Sequence, residues 1–343
     1  MKNILCIILL FTGVVSWSQT ETFVNPLLPS GADPFSVYVD GMYYYTHTMG
    51  NRIVIWKTDN LAHLQDAESK TIWVPPTGTL YSKDIWAPEI HYYDGKWYVY
   101  FAADNGDNNT HRMYVLENDN SDPFSDNWSF KGKIAAQTDK WAIDGNVYRY
   151  KGKFYMVWSG WKGDENGQQN IYLAAMKNPL EIEGDRVLIS SPVFDWEKHG
   201  DLNDDVNPPH VYVNEGPQFL EHDGRLFVVY SASGCWTDFY SLGLLSFNGE
   251  KDLLNSANWH KSNLPVFTQN SINGVYAPGH NSFFRSPDGT EDWILYHGNS
   301  EPNQGCGNLR KPRMQRIYWK EDGTPWFGVP VPEGVQLEIP AQK

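Results

Sequence analysis

Three acidic residues occupy comparable places in a repeated pattern of this chain, and together they could carry out acid–base catalysis. Asp33, Asp144 and Glu215 each lie in a segment that is followed, eight or nine residues later, by a turn glycine and an aromatic-rich strand. Hydrolysis of a glycosidic bond needs a protonated carboxyl group for the leaving oxygen and an ionised carboxylate to activate water or attack the anomeric carbon. A third acid could set the protonation of its neighbour, because like charges in proximity raise a carboxyl pKa.

Two further segments continue the pattern. WAPEIHYY carries Glu89 and PGHNSFFRS carries His280, again six to nine residues before a turn glycine. The five turn glycines are Gly41, Gly95, Gly152, Gly224 and Gly289. The pattern predicts that these four acids and one imidazole sit at the same place in five repeated units and point toward one central region.

Each unit contains four strand-like runs rich in aromatic and β-branched residues. The last run of the fifth unit is PWFGVPV, residues 325–331. Four-stranded units repeated at this period are best buried by packing around an axis, which leaves only short sheet edges. We therefore predict an all-β fold, a five-bladed β-propeller with four antiparallel strands per blade. The alternative, a β-sandwich, would not explain the recurrence of the polar residue.

The bulk properties are typical of an exported, acidic protein. Residues 1–18 combine one lysine with a short apolar run and predict a secretory signal peptide, leaving 19–343 as a single propeller domain. The net charge is −14 and mean hydropathy is −0.51. Without a stripe of Lys or Arg a nucleic-acid partner is not expected, and no membrane span is predicted beyond the signal. We expect a secreted or periplasmic protein, monomeric in solution.

Two cysteines, Cys235 and Cys306, follow second strands in adjacent units four and five. In an oxidising compartment they could form a disulfide, because such loops emerge on the same face of a propeller. Two free thiols remain the alternative, since sequence alone does not supply the distance.

These segments together resemble glycoside hydrolase family 43. The resemblance rests on GADPFSVY, IDGNVYRYKGKFY and NEGPQFLEHDGRLFVVYSAS, supported by WAPEI and APGHNSF, and it spans residues 25 to 332. It implies a five-bladed propeller that hydrolyses glycosides with inversion. It also implies that Asp33 is the general base, Glu215 the general acid, and Asp144 the residue that tunes and orients the acid.

The resemblance implies two further site features. His280 stands where the family often places a histidine beside a calcium ion or water cluster on the propeller axis, so a structural Ca²⁺ near His280 is expected, although the chemistry requires no cofactor. Glu89 is not one of the family's catalytic acids, and we interpret it as a structural residue or as one that supports the residues of the site. An arginine of the last-blade motif reaches the substrate in the family, and Arg313 is our prediction for it.

Aromatic side chains make up 15% of the chain. Most should pack between blades, while a few should serve as platforms for the apolar faces of sugar rings. We predict Trp86, Trp161 and Trp236 as walls of the substrate site.

The combined prediction is a secreted, inverting, exo-acting α-L-arabinofuranosidase that releases arabinose from a plant polysaccharide such as arabinan or arabinoxylan. β-Xylosidase and endo-arabinanase of the same family are the nearest alternatives. A non-catalytic glycan-binding propeller is a third, but such a protein need not keep all three acids.

Overall fold

A computed structural model describes residues 21–200, 211–249 and 252–343. The predicted signal peptide lies outside the described residues. Five antiparallel sheets follow one another along the chain as the blades of a β-propeller, which confirms the predicted fold. Among the described residues, no helix is long and apolar enough to cross a bilayer.

In the first four blades the strands pair in chain order from the innermost strand outwards. Blade one comprises Phe35–Val39, Met42–Thr46, Ile53–Thr58 and Glu68–Trp73. Blade two comprises Lys83–Tyr93, Lys96–Asp104, Arg112–Asn118 and Ser129–Ile134. Blade three comprises Ala142–Tyr150, Lys153–Trp161, Gln169–Asn178 and Glu181–Ser190. Blade four comprises Asn214–His222, Arg225–Ala232, Ser241–Phe247 and Trp259–Lys261.

Blade five closes the ring with a segment from the other end of the chain. Its ladder has three strands, Tyr276–Arg285, Asp292–Asn299 and Lys311–Arg316. The free edge of the third strand is bonded by residues 25–31, through Leu27 N to Pro312 O at 2.8 Å and Gly31 N to Arg310 O at 2.9 Å. The expected fourth strand, PWFGVPV, does not join the ladder, because that edge is already taken. Its first two residues pair instead with Tyr318–Trp319.

The remaining elements are short. Thr22–Phe23 pairs with Leu337–Glu338 and joins the two ends of the described chain. The 3₁₀ helices are Leu61–Asp66, Asn108–Thr110, Asp195–Glu197 and Ser256–Asn258.

Tight turns join the first two strands of blades one to four. Each turn has two residues, Asp40-Gly41, Asp94-Gly95, Lys151-Gly152 and Asp223-Gly224, and both members of each pair have positive φ. This is the geometry of a type I′ hairpin, whose twist matches that of the strands and which favours Asp-Gly. The turns fix the register of the inner strands of blades one to four and therefore the height of their side chains along the propeller axis.

In the described part of the chain the apolar core consists of five clusters, each between two neighbouring blades. Between blades two and three, for example, Tyr100 and Met113 pack with Ile143 and Trp158. The matching cluster between blades five and one contains Leu295, Met314, Tyr43 and Tyr45. Because the aromatic side chains of the second strands fill these interfaces, most of the abundant Trp and Tyr are accounted for by blade packing.

Candidate active site

In blades two to five the inner strand carries a bulge near its start, and one residue of that bulge has positive φ. In blade one the corresponding residue, just before the inner strand, also has positive φ. These residues are Asp33, Ala87, Asp144, Gly216 and His280, with φ of 58°, 42°, 57°, 52° and 45°. In blades two to five, the pairing register shifts around this residue, as between Ile143 and Asn146 in blade three. A bulge re-aims the side chains beside it, here away from the blade interface and toward the axis.

The positions of the bulges show that the predicted alignment of the five units is wrong in blades two and four. Asp33, Asp144 and His280 do occupy the same position. Glu215 lies one residue before that position and Glu89 two residues after it, because Ala87 and Gly216 are the true equivalents. Glu89 is consequently placed deeper on the axis, and it does not line the cavity that contains the acids.

The three predicted acids converge. Asp33, Asp144 and Glu215 all line one cavity of about 430 Å³ at the end of the axis where the inner strands begin. Further lining residues are Thr48, Trp86, Asn108, Trp141, Ile143, Asn166, Gln169, Val211, Cys235, Trp236, His280, Cys306 and Arg310. Carboxyl groups from blades one, three and four thus face a common space bordered by indole rings.

Asp33 is surrounded by donors. Its Oδ1 accepts from Arg310 Nη1 at 2.9 Å, and its Oδ2 accepts from Thr48 Oγ1 at 2.6 Å. His280 Nδ1 lies 3.2 Å from Oδ1. Burial alone would raise the pKa of Asp33, but the charge of Arg310, the two nearby histidines and the Thr48 hydroxyl together hold that pKa far below its usual value. Asp33 is therefore ionised at any pH near neutrality.

Two histidines of blade five, His280 and His297, lie beside this carboxylate, and both are neutral near pH 7. The backbone N–H of Asp33 donates to His297 Nδ1 at 3.1 Å, so the proton of a neutral His297 is on Nε2. Burial, together with the charge of Arg310, lowers the pKa of both His280 and His297. Within the part of the chain that the structure describes, the full positive charge beside Asp33 is then that of Arg310.

Glu215 has the opposite environment. Its Oε1 accepts one hydrogen bond, from Tyr240 Oη at 2.8 Å. Burial raises the pKa of Glu215 to about 7, helped by the charge of Asp33 and opposed by the Tyr240 hydroxyl and Arg310. Tyr240 is itself fully buried, and its ring is parallel to that of His297. A carboxyl group with this pKa can hold a proton near neutral pH and give it away.

Asp144 connects blades three and four, which carry two of the three acids. Its Oδ2 accepts the backbone N–H of Gly216, the residue after Glu215, at 2.9 Å. Burial and the charges of Glu215 and Asp33 raise the pKa of Asp144 well above its ordinary value, although the Gly216 N–H opposes the shift. Asp144 and Glu215 thus form a coupled pair whose second ionisation is disfavoured.

The predicted aromatic walls are partly present. Trp86 and Trp236 line the cavity, and Trp86 stacks on His111 with 4.1 Å between ring centroids. Trp161 does not reach the cavity: it is 1% exposed and stacks behind Trp141, at 4.7 Å and 7° between ring planes. Trp141, which precedes the inner strand of blade three, takes the lining place.

Arg313 is not at the cavity. It belongs to the third strand of blade five, its side chain is fully buried, and its Nη2 donates to Glu333 Oε1 at 2.6 Å. Arg310 lines the cavity instead. Alternation within the strand points Arg313 away from the site, whereas Arg310 lies just before the strand begins, next to the segment that leads to Asp33.

The calcium ion predicted near His280 would need oxygen ligands around that side chain. Among residues 21–200, 211–249 and 252–343, no three His, Cys, Asp or Glu side chains are grouped to hold a metal ion. Calcium takes six to eight oxygen ligands, so the donors here fit only an ion that keeps most of its water. The buried, unpartnered amide of Asn281, the next residue, is compatible with such a hydrated group. A Ca²⁺ near His280 stays a prediction.

Cys235 and Cys306 form a disulfide, with Cα atoms 5.2 Å apart. Both residues line the cavity, so the bridge joins loops of blades four and five at the wall of the site. The same loops are also joined by the Asn303 N–H, which donates to Asp238 Oδ1 at 2.9 Å. Of the two alternatives that the sequence left open, a disulfide or two free thiols, the structure has the disulfide.

The structure adds four residues that the sequence patterns did not identify: Thr48, Trp141, Tyr240 and Arg310. Each lies outside the five repeated segments. Tyr240 and Arg310 stand immediately before third strands, and Thr48 follows a second strand. The signal that could have found them is their position in loops at the same end of the blades as the acids.

The chain matches the family model of glycosyl hydrolases family 43 over residues 23–325. It is 39% identical over 326 residues to an extracellular exo-α-(1→5)-L-arabinofuranosidase of Streptomyces avermitilis, covering 93% of this chain and 66% of that protein. It is 36% identical over 336 residues to α-L-arabinofuranosidase 43 of Humicola insolens, covering 94% and 67%. The chain thus spans about two thirds of the length of these relatives.

A solved structure agrees with the fold. The crystal structure of an α-L-arabinofuranosidase from Lactobacillus brevis superposes with a TM-score of 0.83 at 38% identity. The superposition covers 91% of this chain and 98% of that one.

Proposed function

Because this chain belongs to family 43 of the glycosyl hydrolases, we propose that it is an inverting, exo-acting α-L-arabinofuranosidase. The observation that carries the proposal is the contrast between two buried carboxyl groups in one cavity. The pKa of Asp33 is held far down by its donors, while burial raises the pKa of Glu215 to about 7. Such a pair supplies an ionised base and a protonated acid at the same pH.

The proposed reaction assigns one step to each group. Glu215 donates its proton to the glycosidic oxygen as the bond to the anomeric carbon breaks. Asp33 accepts a proton from the water that attacks the opposite face of the sugar, which gives inversion. Asp144 is bonded to the Gly216 N–H and forms with Glu215 a pair whose second ionisation is disfavoured, so one proton stays on the pair near neutral pH.

The indole rings of Trp86, Trp141 and Trp236 supply apolar surface for the C–H faces of a sugar. Arg310 holds Asp33 in place and presents further N–H groups to the cavity, where a sugar hydroxyl could accept them. The proposed substrate is an arabinofuranosyl unit at the end of a plant polysaccharide or oligosaccharide. Export of the protein is part of the proposal, supported by relatives that are named extracellular.

The proposal is tested by assaying the purified protein on nitrophenyl α-L-arabinofuranoside and nitrophenyl β-D-xyloside, with proton NMR of the first-formed anomer. We expect a much higher kcat/KM on the arabinofuranoside and initial release of the inverted sugar. On linear arabinan the sole early product should be arabinose. The Asp33→Asn variant is the control for contaminating enzymes.

Each other result selects a different function. Preference for the xyloside would indicate a β-xylosidase, and early oligosaccharides from arabinan would indicate endo action. Binding of oligosaccharides with no hydrolysis of either glycoside would indicate a non-catalytic glycan-binding propeller. A retained anomer would contradict the roles proposed for Asp33 and Glu215.

A further inference from the structure

The inner strands of blades two, three and four are joined at the axis by three buried polar side chains. Glu89, Asn146 and Gln218 occupy the same register position, the first to pair after each bulge. Asn146 Nδ2 donates to Glu89 Oε2 at 2.8 Å and to Gln218 Oε1 at 2.9 Å. Gln218 Nε2 donates to Glu89 Oε1. All three side chains are buried.

The directions of these hydrogen bonds require Glu89 to be an acceptor at both oxygens. Besides the two amides, His91 Nε2 lies 3.0 Å from Oε2. Asn146 uses its own oxygen to accept the Phe219 N–H at 3.2 Å, so both of its N–H groups remain for Glu89 and Gln218. An ionised carboxylate satisfies every partner, whereas a side-chain amide would turn one donor toward another donor.

The joined residues are also those that end the acid-bearing bulges. Asn146 follows Asp144 by two positions, and Gln218 follows Glu215 by three. On the cavity side, the same two bulges are joined by the bond from the Gly216 N–H to Asp144. The two bulges are therefore held together at two levels, once at the cavity and once at Glu89.

We propose that Glu89 is a positioning residue. It fixes the spacing of Asp144 and Glu215 by joining their two bulges on the side that faces away from the cavity. The inference rests on the proposed function, because it concerns the acid pair of that reaction. A misplacement of about 1 Å in a catalytic group can cost about a hundredfold in rate. Loss of the Glu89 carboxylate should thus lower kcat, while KM changes little because Glu89 does not line the cavity.

The charge of Glu89 adds a second, measurable effect. The titratable groups that face it are His91, Tyr93 and Tyr100 from blade two, Asp144 from blade three and His280 from blade five. Blade four contributes the neutral Gln218, and Phe35 of blade one packs on His91. Because the negative charge of Glu89 disfavours ionisation of Asp144, its removal should lower the apparent pKa values of the acid pair.

The test is the pH dependence of kcat and kcat/KM for Glu89→Gln on nitrophenyl α-L-arabinofuranoside. We expect kcat to fall about tenfold to a hundredfold and the alkaline limb to move to lower pH. Glu89→Asp keeps the charge but is too short to reach both amides. It should therefore lower kcat with a smaller movement of the limb, and it serves as the deciding variant if Glu89→Gln does not fold.

Glu197→Gln is the matched control. Glu197 is also fully buried and also accepts several hydrogen bonds, from Tyr230, Asn214 and Lys261, but it does not line the cavity or touch the acids. It should lower the melting temperature and leave the limbs of the pH profile in place. A folded Glu89→Gln enzyme with wild-type kcat, or with lower kcat and unmoved limbs, would overturn the proposal. A wild-type protein inactive on both glycosides would overturn the proposed function itself, and the positioning role with it.

Discussion

Asp33 and Glu215 are both buried carboxyl groups, yet their surroundings move their pKa values in opposite directions. Arg310, Thr48 and the two histidines face Asp33, whereas among the described residues Glu215 accepts a single hydrogen bond, from Tyr240. Burial acts on both alike, so the number and charge of the donors decides the outcome. At the scale of single residues, the division between acid and base is therefore set by side chains from the loops around the two carboxyl groups.

Tyr240→Phe tests this account of Glu215. The Tyr240 hydroxyl stabilises the ionised form of Glu215 and so lowers its pKa. Removal of that donor should raise the pKa, and the alkaline limb of kcat/KM should move to higher pH by about one unit. Tyr296→Phe, at a buried tyrosine bonded to Gln315, should leave the limb unmoved. An alkaline limb that stays in place or moves to lower pH in Tyr240→Phe would contradict the assignment of Glu215 as the acid.

Substitutions of Arg310 and Arg313 test how a neighbouring positive charge sets the pKa of Asp33, because Arg310 contacts Asp33 and Arg313 does not. Arg310→Met removes the charge beside Asp33 and Glu215, so the pKa of each should rise and both limbs of the profile should move to higher pH. We expect kcat/KM to fall by about a hundredfold. Arg313→Met should lower the melting temperature through loss of the Glu333 pair without moving either limb. Equal pH profiles for the two variants would refute the difference in their roles.

At the scale of elements, the bulges explain what the sequence could and could not predict. The recurring acid, turn glycine and aromatic strand were enough to place Asp33, Asp144 and Glu215 in one cavity. The offset to the glycine varied because Glu89 and Glu215 are not at the bulge position, and because the connection after the inner strand of blade five is longer. Measured from Asp33, Ala87, Asp144 and Gly216, the distance to the turn glycine is constant in the first four blades. Alanine is not a residue type that indicates a positive φ, so the sequence could not predict that Ala87 is the bulge residue of blade two.

Gly216→Ala tests the bulge of blade four. Gly216 has φ of 52°, and a Cβ there would lie 3.2 Å from His280 Cγ. We expect a loss of about 1 kcal/mol or more in stability from the backbone, and a lower kcat because the Gly216 N–H that bonds Asp144 must move. Gly224→Ala is the control, with φ of 74° and no atom within 4 Å of its Cβ. It should lose stability but keep kcat. Equal kcat in both variants would show that the bulge does not position Asp144.

At the scale of the whole molecule, ring closure completes the site. Arg310 and Asp33 are 277 residues apart, and they meet because residues 25–31 lie along the free edge of blade five. The repeats predicted five blades but not which segment would close the last one, since residues 25–31 carry no strand-like alternation. Arg310, Trp141 and Tyr240 were missed for a related reason. Arg310 and Trp141 line the cavity and Tyr240 bonds to Glu215 behind it, and each comes from a loop whose path depends on the assembled ring.

The assembled ring also buries Glu215, and the ionised form of a buried carboxyl group destabilises the fold. The pH dependence of the free energy of unfolding therefore tests whether the fold holds Glu215 protonated. The pKa of Glu215 is raised to about 7 in the folded protein, above its unfolded value. Its contribution to stability is therefore present in full below the unfolded pKa and is lost as pH rises through about 7. A glutamine cannot ionise and keeps the Tyr240 contact. Glu215→Gln should thus be as stable as wild type near pH 4 and more stable at pH 8, by up to about 3 kcal/mol.

Denaturant unfolding of wild type and Glu215→Gln at the two pH values measures this difference directly. Glu165→Gln, at an exposed carboxyl group outside the cavity, controls for the change in net charge and should match wild type at both. Asp33 should behave in the opposite sense, because its lowered pKa stabilises the fold above its unfolded pKa and that contribution is lost as pH falls. If Glu215→Gln gained no stability over wild type between pH 4 and pH 8, Glu215 would not be held protonated by the fold. The general acid would then have to be sought in Asp144, the other member of the coupled pair.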